Sequence, residues 1–150
     1  MSGVEVGPLF GGNAIEPVSA AGRLRLPSFI LDTLVRRSDG RRIVFGAHES
    51  EPCLSAYDPG WRAALADRED RRRLLGFAEE TQFDSAGRVT LPRMMRWKGR
   101  IGALALFVGT GGAFEIWDPQ IARLSGGPDL REMAEYRLKE IGRDEREEGR

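Results

Sequence analysis

One short pattern occurs twice in this chain, and the duplication limits the possible folds more than any other feature. Residues 18–27 read Val-Ser-Ala-Ala-Gly-Arg-Leu-Arg-Leu-Pro, and residues 83–92 read Phe-Asp-Ser-Ala-Gly-Arg-Val-Thr-Leu-Pro. Ala21, Gly22, Arg23, Leu26 and Pro27 match Ala86, Gly87, Arg88, Leu91 and Pro92 at a constant separation of 65 residues. A second landmark follows in each copy: Leu54 to Pro59 resembles Phe114 to Pro119, now 60 residues apart. Two landmarks in the same order indicate a tandem repeat whose second copy is five residues shorter between them.

Each landmark has a local physical meaning. Gly22 and Gly87 allow the chain to reverse through positive φ, and Ser19 and Asp84 can accept backbone N–H groups across the turn. After the turn, Arg23-Leu24-Arg25-Leu26 and Arg88-Val89-Thr90-Leu91 alternate polar and apolar residues, the period of a half-buried strand. Leu24 and Leu26 should therefore face the core while Arg23 and Arg25 share the other face. Pro27 and Pro92 suit the first turn of a helix, predicted over Ser28–Val35 in the first copy and Arg93–Trp97 in the second. The apolar runs Ile43–Phe45 with Cys53–Tyr57, and Ala103–Val108 with Ala113–Trp117, read as buried hairpin strands. Asp58-Pro59 and Asp118-Pro119 read as helix starts with an aspartate N-cap.

These readings give a β-rich α+β chain with short helices. A first module spans residues 9–66, a connecting helix 67–80, a second module 81–127, and a charged tail, helical or disordered, 128–150. In the tail Leu130, Met133, Leu138 and Ile141 form a weak apolar stripe, with fraying expected after Gly142. No apolar run approaches the ~18 residues of a membrane-spanning helix, and Met1 to Phe10 lacks the pattern of a signal peptide. The single Cys53 excludes an internal disulfide framework, and a reducing cytoplasm is the expected compartment. The net charge is zero, but its distribution is uneven. Residues 18–46 carry six arginines against Asp32 and Asp39, and residues 84–108 carry five basic residues against Asp84 alone. Local potential, not the total, governs contact with phosphate.

The segment Asp84 to Arg88, with a strand and Pro92 behind it, resembles the Asp-x-x-Gly-Arg signature of the MraZ family. Val108 to Pro119 also resembles the corresponding stretch of that family, and the tandem arrangement spans residues 9–125. Related AbrB-type domains carry one module per chain and complete a barrel by dimerising; a tandem chain can supply both halves. The resemblance implies a swapped-hairpin β-barrel about a pseudo-twofold axis, ring-like homo-oligomers, and nucleoid-associated regulation of the division and cell-wall gene cluster. The first copy departs from the signature at Ser19, where the family usually has aspartate. Serine accepts a turn hydrogen bond more weakly than a carboxylate.

Arg23, Arg25 and Arg88 are the candidate DNA-binding residues, carried by turns built from Ser19, Gly22, Asp84 and Gly87. A two-stranded ribbon fits the major groove, where arginine presents paired donors to guanine; Thr90, the counterpart of Arg25, offers only a weaker hydrogen bond. Arg36, Arg37, Arg41 and Arg42 read as a solvated loop or as phosphate contacts. Gly109 to Gly112 lacks the lysine and the helix of a nucleotide loop and reads as a hairpin turn. His48 and Cys53 have no further His or Cys with which to complete a metal or catalytic site, and Glu49 and Glu51 read as loop acids. Trp61, Trp97 and Trp117 read as core or interface residues. The expected partner is therefore double-stranded DNA, with no enzyme activity, cofactor, metal, small-molecule substrate or membrane. The rival reading is a protein-interaction module of the same fold that has lost DNA binding, which the neutral charge and Ser19 favour.

Overall fold

Short strands flank both Gly-Arg turns. The computed structural model describes residues 7–38, 40–62, 65 and 68–148. In the first copy, β1 (Asn13–Pro17) enters the turn, followed by β2 (Arg23–Arg25), α1 (Ser28–Arg37), β3 (Arg42–Ala47), β4 (Leu54–Tyr57) and α2 (Pro59–Arg62). After α3 (Arg71–Gly76), the second copy repeats the order: β5 (Glu79–Gln82), β6 (Arg88–Thr90), α4 (Arg93–Gly99), β7 (Leu104–Gly109), β8 (Phe114–Trp117) and α5 (Pro119–Ser125). A last helix, α6, runs from Pro128 to Glu148.

The copies interleave. Six antiparallel strands form one sheet in the order β1-β7-β8-β4-β3-β5, which reads the same from both ends once the copies are exchanged. Each copy's leading strand pairs with the other copy's hairpin: Asn13 lies opposite Val108, and Gln82 opposite Arg42. β2 and β6 pair separately as a two-stranded ribbon. No ladder joins β1 to β5 among the described residues, so both are edges of the large sheet.

The ribbon buries its apolar face as the alternation requires: Leu24, Leu26, Val89 and Leu91 are all in the core, while Arg23, Arg25, Arg88 and Thr90 are exposed. That core continues through Ile30 and Met95, which occupy matching positions on α1 and α4, and through Phe45, Phe107 and Phe114 of the sheet. Pro27 and Pro92 sit at the N-caps of α1 and α4, just ahead of the first turn. Asp118 caps α5, accepting the Gln120 N–H at 3.0 Å.

The five-residue difference between copies divides in two. α1 has ten residues and α4 seven, close to one helical turn, while residues 48–53 join β3 to β4 where 110–113 join β7 to β8. The extra turn of α1 brings Arg37 to Asp58 at 3.3 Å, so Asp58 is engaged by a guanidinium rather than serving as the expected side-chain cap. Its counterpart Asp118 instead accepts the Gly102 N–H at 3.1 Å.

Three expectations change. β1 and β5 precede the turns, though neither Asn13–Pro17 nor Glu79–Gln82 is rich in apolar residues. They are polar edge strands held by ladder hydrogen bonds more than by burial. The stretch assigned to a connecting helix is helical over Arg71–Gly76, with Glu79 and Glu80 taken into β5 where pairing with β3 satisfies their backbone; residues 66 and 67 lie outside the described residues. The tail is helical past Gly142 as far as Glu148, consistent with its run of strong helix formers of alternating charge. Ala134 is fully buried, and with Leu130 and Met133 it packs α6 onto Leu106, Val108, Trp117 and Ala122. Arg137 ties α6 to β1 by donating to Asn13 Oδ1 at 2.8 Å and to the Asn13 carbonyl at 3.0 Å. Among the described residues no helix is long and apolar enough to cross a membrane.

Candidate nucleic-acid interface

The two Gly-Arg turns have the same backbone. Gly22 and Gly87 stand at φ +86° and +82°, where a side chain would be strained. The Gly22 N–H donates to the Ser19 carbonyl and the Gly87 N–H to the Asp84 carbonyl, both at 2.9 Å. Across the copies, Leu26 N–H donates to the Gly87 carbonyl and Leu91 N–H to the Gly22 carbonyl, both at 2.8 Å. Each turn is therefore pinned by the strand of the other copy.

Side chains break the symmetry. Ser19 Oγ accepts the Arg23 N–H at 3.0 Å, and no ion pair engages the Arg23 guanidinium among the described residues. Asp84 does more: Oδ1 accepts the Ala86 and Arg88 N–H groups at 2.9 Å each, and Oδ2 accepts Arg88 Nε at 2.8 Å. The Arg88 backbone N–H is the largest cause, and its guanidinium a further one, holding the Asp84 carboxyl below the usual carboxylate range. Arg88 is thereby oriented through Nε, and its terminal nitrogens make no hydrogen bond or ion pair among the described residues, whereas Arg23 is aimed only by its backbone.

The ribbon register brings the candidates together. Arg25 lies directly opposite Arg88, and Arg23 opposite Thr90, all four exposed on one face. Like charges facing each other across strands oppose folding, so the register carries a cost on this face. The opposite copy's helix supports each turn: Arg96 of α4 donates to the Ala20 carbonyl at 2.8 Å, and Leu31 of α1 lies against Gly87. Arg96 escaped the sequence reading because only the interleaving brings it to the first turn. Of the four loop arginines, Arg37 is committed to Asp58, and Arg42 pairs with Glu80 at 3.1 Å; Arg36 and Arg41 have no ion pair among the described residues.

The remaining motifs resolve structurally. Thr110 to Ala113 closes the β7–β8 hairpin through the Thr110 N–H to the Ala113 carbonyl at 3.0 Å, and a Cβ on Gly109 would meet the Phe10 carbonyl oxygen at 2.5 Å. The stretch is a close-packed turn, with no lysine to cradle a phosphate. Trp117 is in the core and Trp61 lies over Gly112, but Trp97 is 72% exposed on α4.

His48 and Cys53 meet a partner the sequence reading missed, Glu115 of β8 in the other copy, with ligand atoms of all three within 4.8 Å. His48 Nδ1 accepts the Ser50 and Glu51 N–H groups at 3.1 and 2.9 Å, and Nε2 donates to Glu115 at 3.0 Å. A metal on Nε2 would require a proton on Nδ1, where those two N–H groups already point. Burial, then Glu115 and Glu51, pushes the Cys53 thiol far up, away from a reactive thiolate. The cluster is a structural clasp on the longer hairpin. The hydrogen bond to Glu115 is the largest cause raising the His48 pKa, with burial working against it. Glu115→Gln is therefore expected to lower the His48 midpoint in an NMR titration of the imidazole; an unchanged midpoint would remove Glu115 as its cause.

Fold and site together define a tandem-repeat α+β protein that presents paired Gly-Arg turns on a two-stranded ribbon. A family model described as "MraZ protein, putative antitoxin-like" matches residues 74–121, the copy that keeps Asp84. The "Transcriptional regulator MraZ" of Proteus mirabilis (strain HI4320) is 34% identical over 125 residues, covering 75% of this chain and 82% of that protein. That of Pseudomonas aeruginosa (strain LESB58) is 35% identical over 132 residues, covering 80% and 86%. The chain belongs to the MraZ family.

Proposed function

We propose that this protein is a sequence-specific DNA-binding transcriptional regulator that reads duplex DNA with the β2–β6 ribbon. The observation that carries this reading is the register placing Arg25 against Arg88 beside Arg23, with Arg88 alone of the three ion-paired among the described residues, to Asp84. A ribbon of this width enters the major groove, and a pre-oriented Arg88 suits bidentate contact with guanine O6 and N7. Thr90 adds one hydrogen-bonding group to the same face. The names of the relatives support transcriptional regulation as the role.

In the same reading, residues 9–66 and 81–127 are AbrB-like modules joined by 67–80 and followed by a tail, 128–150. They form a swapped-hairpin barrel about a pseudo-twofold axis, for which the strand exchange of β1 and β5 is the support. One ribbon offers few contacts, so a homo-oligomer, ring-like as in the family, gains strength by engaging several DNA repeats at once. The site of action is the cytoplasmic nucleoid, and the target is the division and cell-wall gene cluster. A gel shift with the duplex upstream of the protein's own gene is expected to give a complex at concentrations where a scrambled duplex stays free. Binding should also weaken steeply with salt. Equal affinity for the two duplexes, or none for either, would overturn the reading in favour of an interaction module.

A further inference from the structure

The arginines of the α1–β3 region separate in the structure into two that are ion-paired and two that face a groove. Arg37 and Arg42 are tied to Asp58 and Glu80. Arg36 and Arg41 share a groove of about 520 Å³, formed beside Asp84 and Ser85, the first residues of the second Gly-Arg turn. Asp32 also lines this groove, but no ion pair links it to Arg36 among the described residues, and Asp84 is already engaged by Arg88. Among the described residues, positive charge without an ion pair therefore outnumbers negative on this wall.

Two further observations indicate that the arrangement is built rather than incidental. Arg41 is held at φ +51°, a left-handed conformation that costs a side-chain-bearing residue energy and that persists where surrounding structure imposes it. Its carbonyl accepts the Phe83 N–H at 3.0 Å, which locks Arg41 to the residue just before Asp84. Arg36 belongs to the last turn of α1, where α1 outruns α4 by three residues, so the second copy has no counterpart for it. At the first Gly-Arg turn the counterpart of Leu31 is Arg96, which is already donating to the Ala20 carbonyl.

We propose that Arg36 and Arg41 form a phosphate-contacting wall beside the second Gly-Arg turn, so that the DNA read by Arg88 is gripped on its backbone by arginines of the other copy. This rests on the reading of the ribbon as a DNA-binding surface and adds residues, a ligand group and an asymmetry to it. The second turn combines an oriented arginine with two backbone contacts; at the first the arginine is freer and the neighbouring Arg96 is held on the Ala20 carbonyl. Contacts of this kind add affinity and salt dependence without sequence preference.

The test is a salt titration of the upstream duplex and its scrambled control with the full-length protein. Arg36→Ala with Arg41→Ala is expected to reduce the slope of log affinity against log salt by about 2, near 0.9 for each phosphate no longer neutralised. Both duplexes should weaken together, leaving their ratio unchanged, and Arg36→Lys with Arg41→Lys should restore the slope. Thermal unfolding of the alanine variant should match the parent, since neither side chain is buried. An unchanged slope, or a lost target-to-scrambled ratio at constant slope, would overturn the wall. Arg88→Ala, run alongside, separates the two levels. If it leaves discrimination intact, the ribbon reading fails and the wall falls with it. If it abolishes discrimination while the Arg36 and Arg41 variant keeps its slope, only the wall fails.

Discussion

Replacing Arg23, Arg25 and Arg88 together by alanine is expected to bring affinity for the target duplex down to that for a scrambled one, with the fold intact. All three side chains are exposed on one face of the β2–β6 ribbon, so their removal leaves no cavity and no buried partner. Folding should be eased slightly, because Arg25 and Arg88 face each other with like charge. The loss falls on recognition. Each bidentate arginine–guanine contact contributes about 1–3 kcal/mol of discrimination, so two such contacts amount to roughly 30-fold to more than 10,000-fold. Single variants should differ: Arg88→Ala removes an arginine pre-oriented by Asp84, whereas Arg23→Ala removes one aimed only by its backbone. Gel shifts on target and scrambled duplexes, with circular dichroism as a check on folding, measure this. Discrimination retained by the triple variant would place the reading surface elsewhere.

The largest stability effect is expected from Arg37→Ala, at about 3–5 kcal/mol, because it strands a charge in the interior. The Arg37 and Asp58 side chains are each only 7% exposed and pair at 3.3 Å. The same guanidinium donates to the Gly112 carbonyl at 2.8 Å and lies over the rings of Phe10 and Trp61, with its central carbon 5.0 and 5.7 Å from their centroids. One side chain thus joins the first copy's helix to the second copy's hairpin turn. In a chain of this size the loss corresponds to a fall in Tm of roughly 10 °C. Combining Arg37→Ala with Asp58→Asn should recover part of it, since an amide is less costly to leave buried than a carboxylate. A change below about 1 kcal/mol would show that water already screens the pair.

Much of this organisation was legible in the sequence where the physics is local. The duplicated landmarks exposed the two copies, and the alternation Arg23-Leu24-Arg25-Leu26 assigned the buried and exposed faces of β2 as the structure has them. Helices after Pro27 and Pro92, both hairpins and the Asp118 cap followed from single-residue preferences. What escaped depends on register or on distant partners. β1 and β5 are polar edges whose identity comes from the strands beside them. The confrontation of Arg25 with Arg88, and Glu115 reaching His48, join residues more than sixty positions apart. Nor does composition separate Arg37 from Arg36: they are adjacent and identical, and only the turn of α1 sends one inward.

The exchange of leading strands has a consequence for how the chain is made. Asn13 pairs with Val108, 95 residues later, so β1 leaves the ribosome long before its partner exists. At ordinary rates of synthesis that interval is roughly 5–20 s. During that time its backbone donors and acceptors face water or whatever else is nearby. The polar make-up of β1, with Pro17 at its end, then protects the nascent chain from pairing with strangers. The weak apolar signature that hid this strand from sequence reading thus also serves the half-made protein.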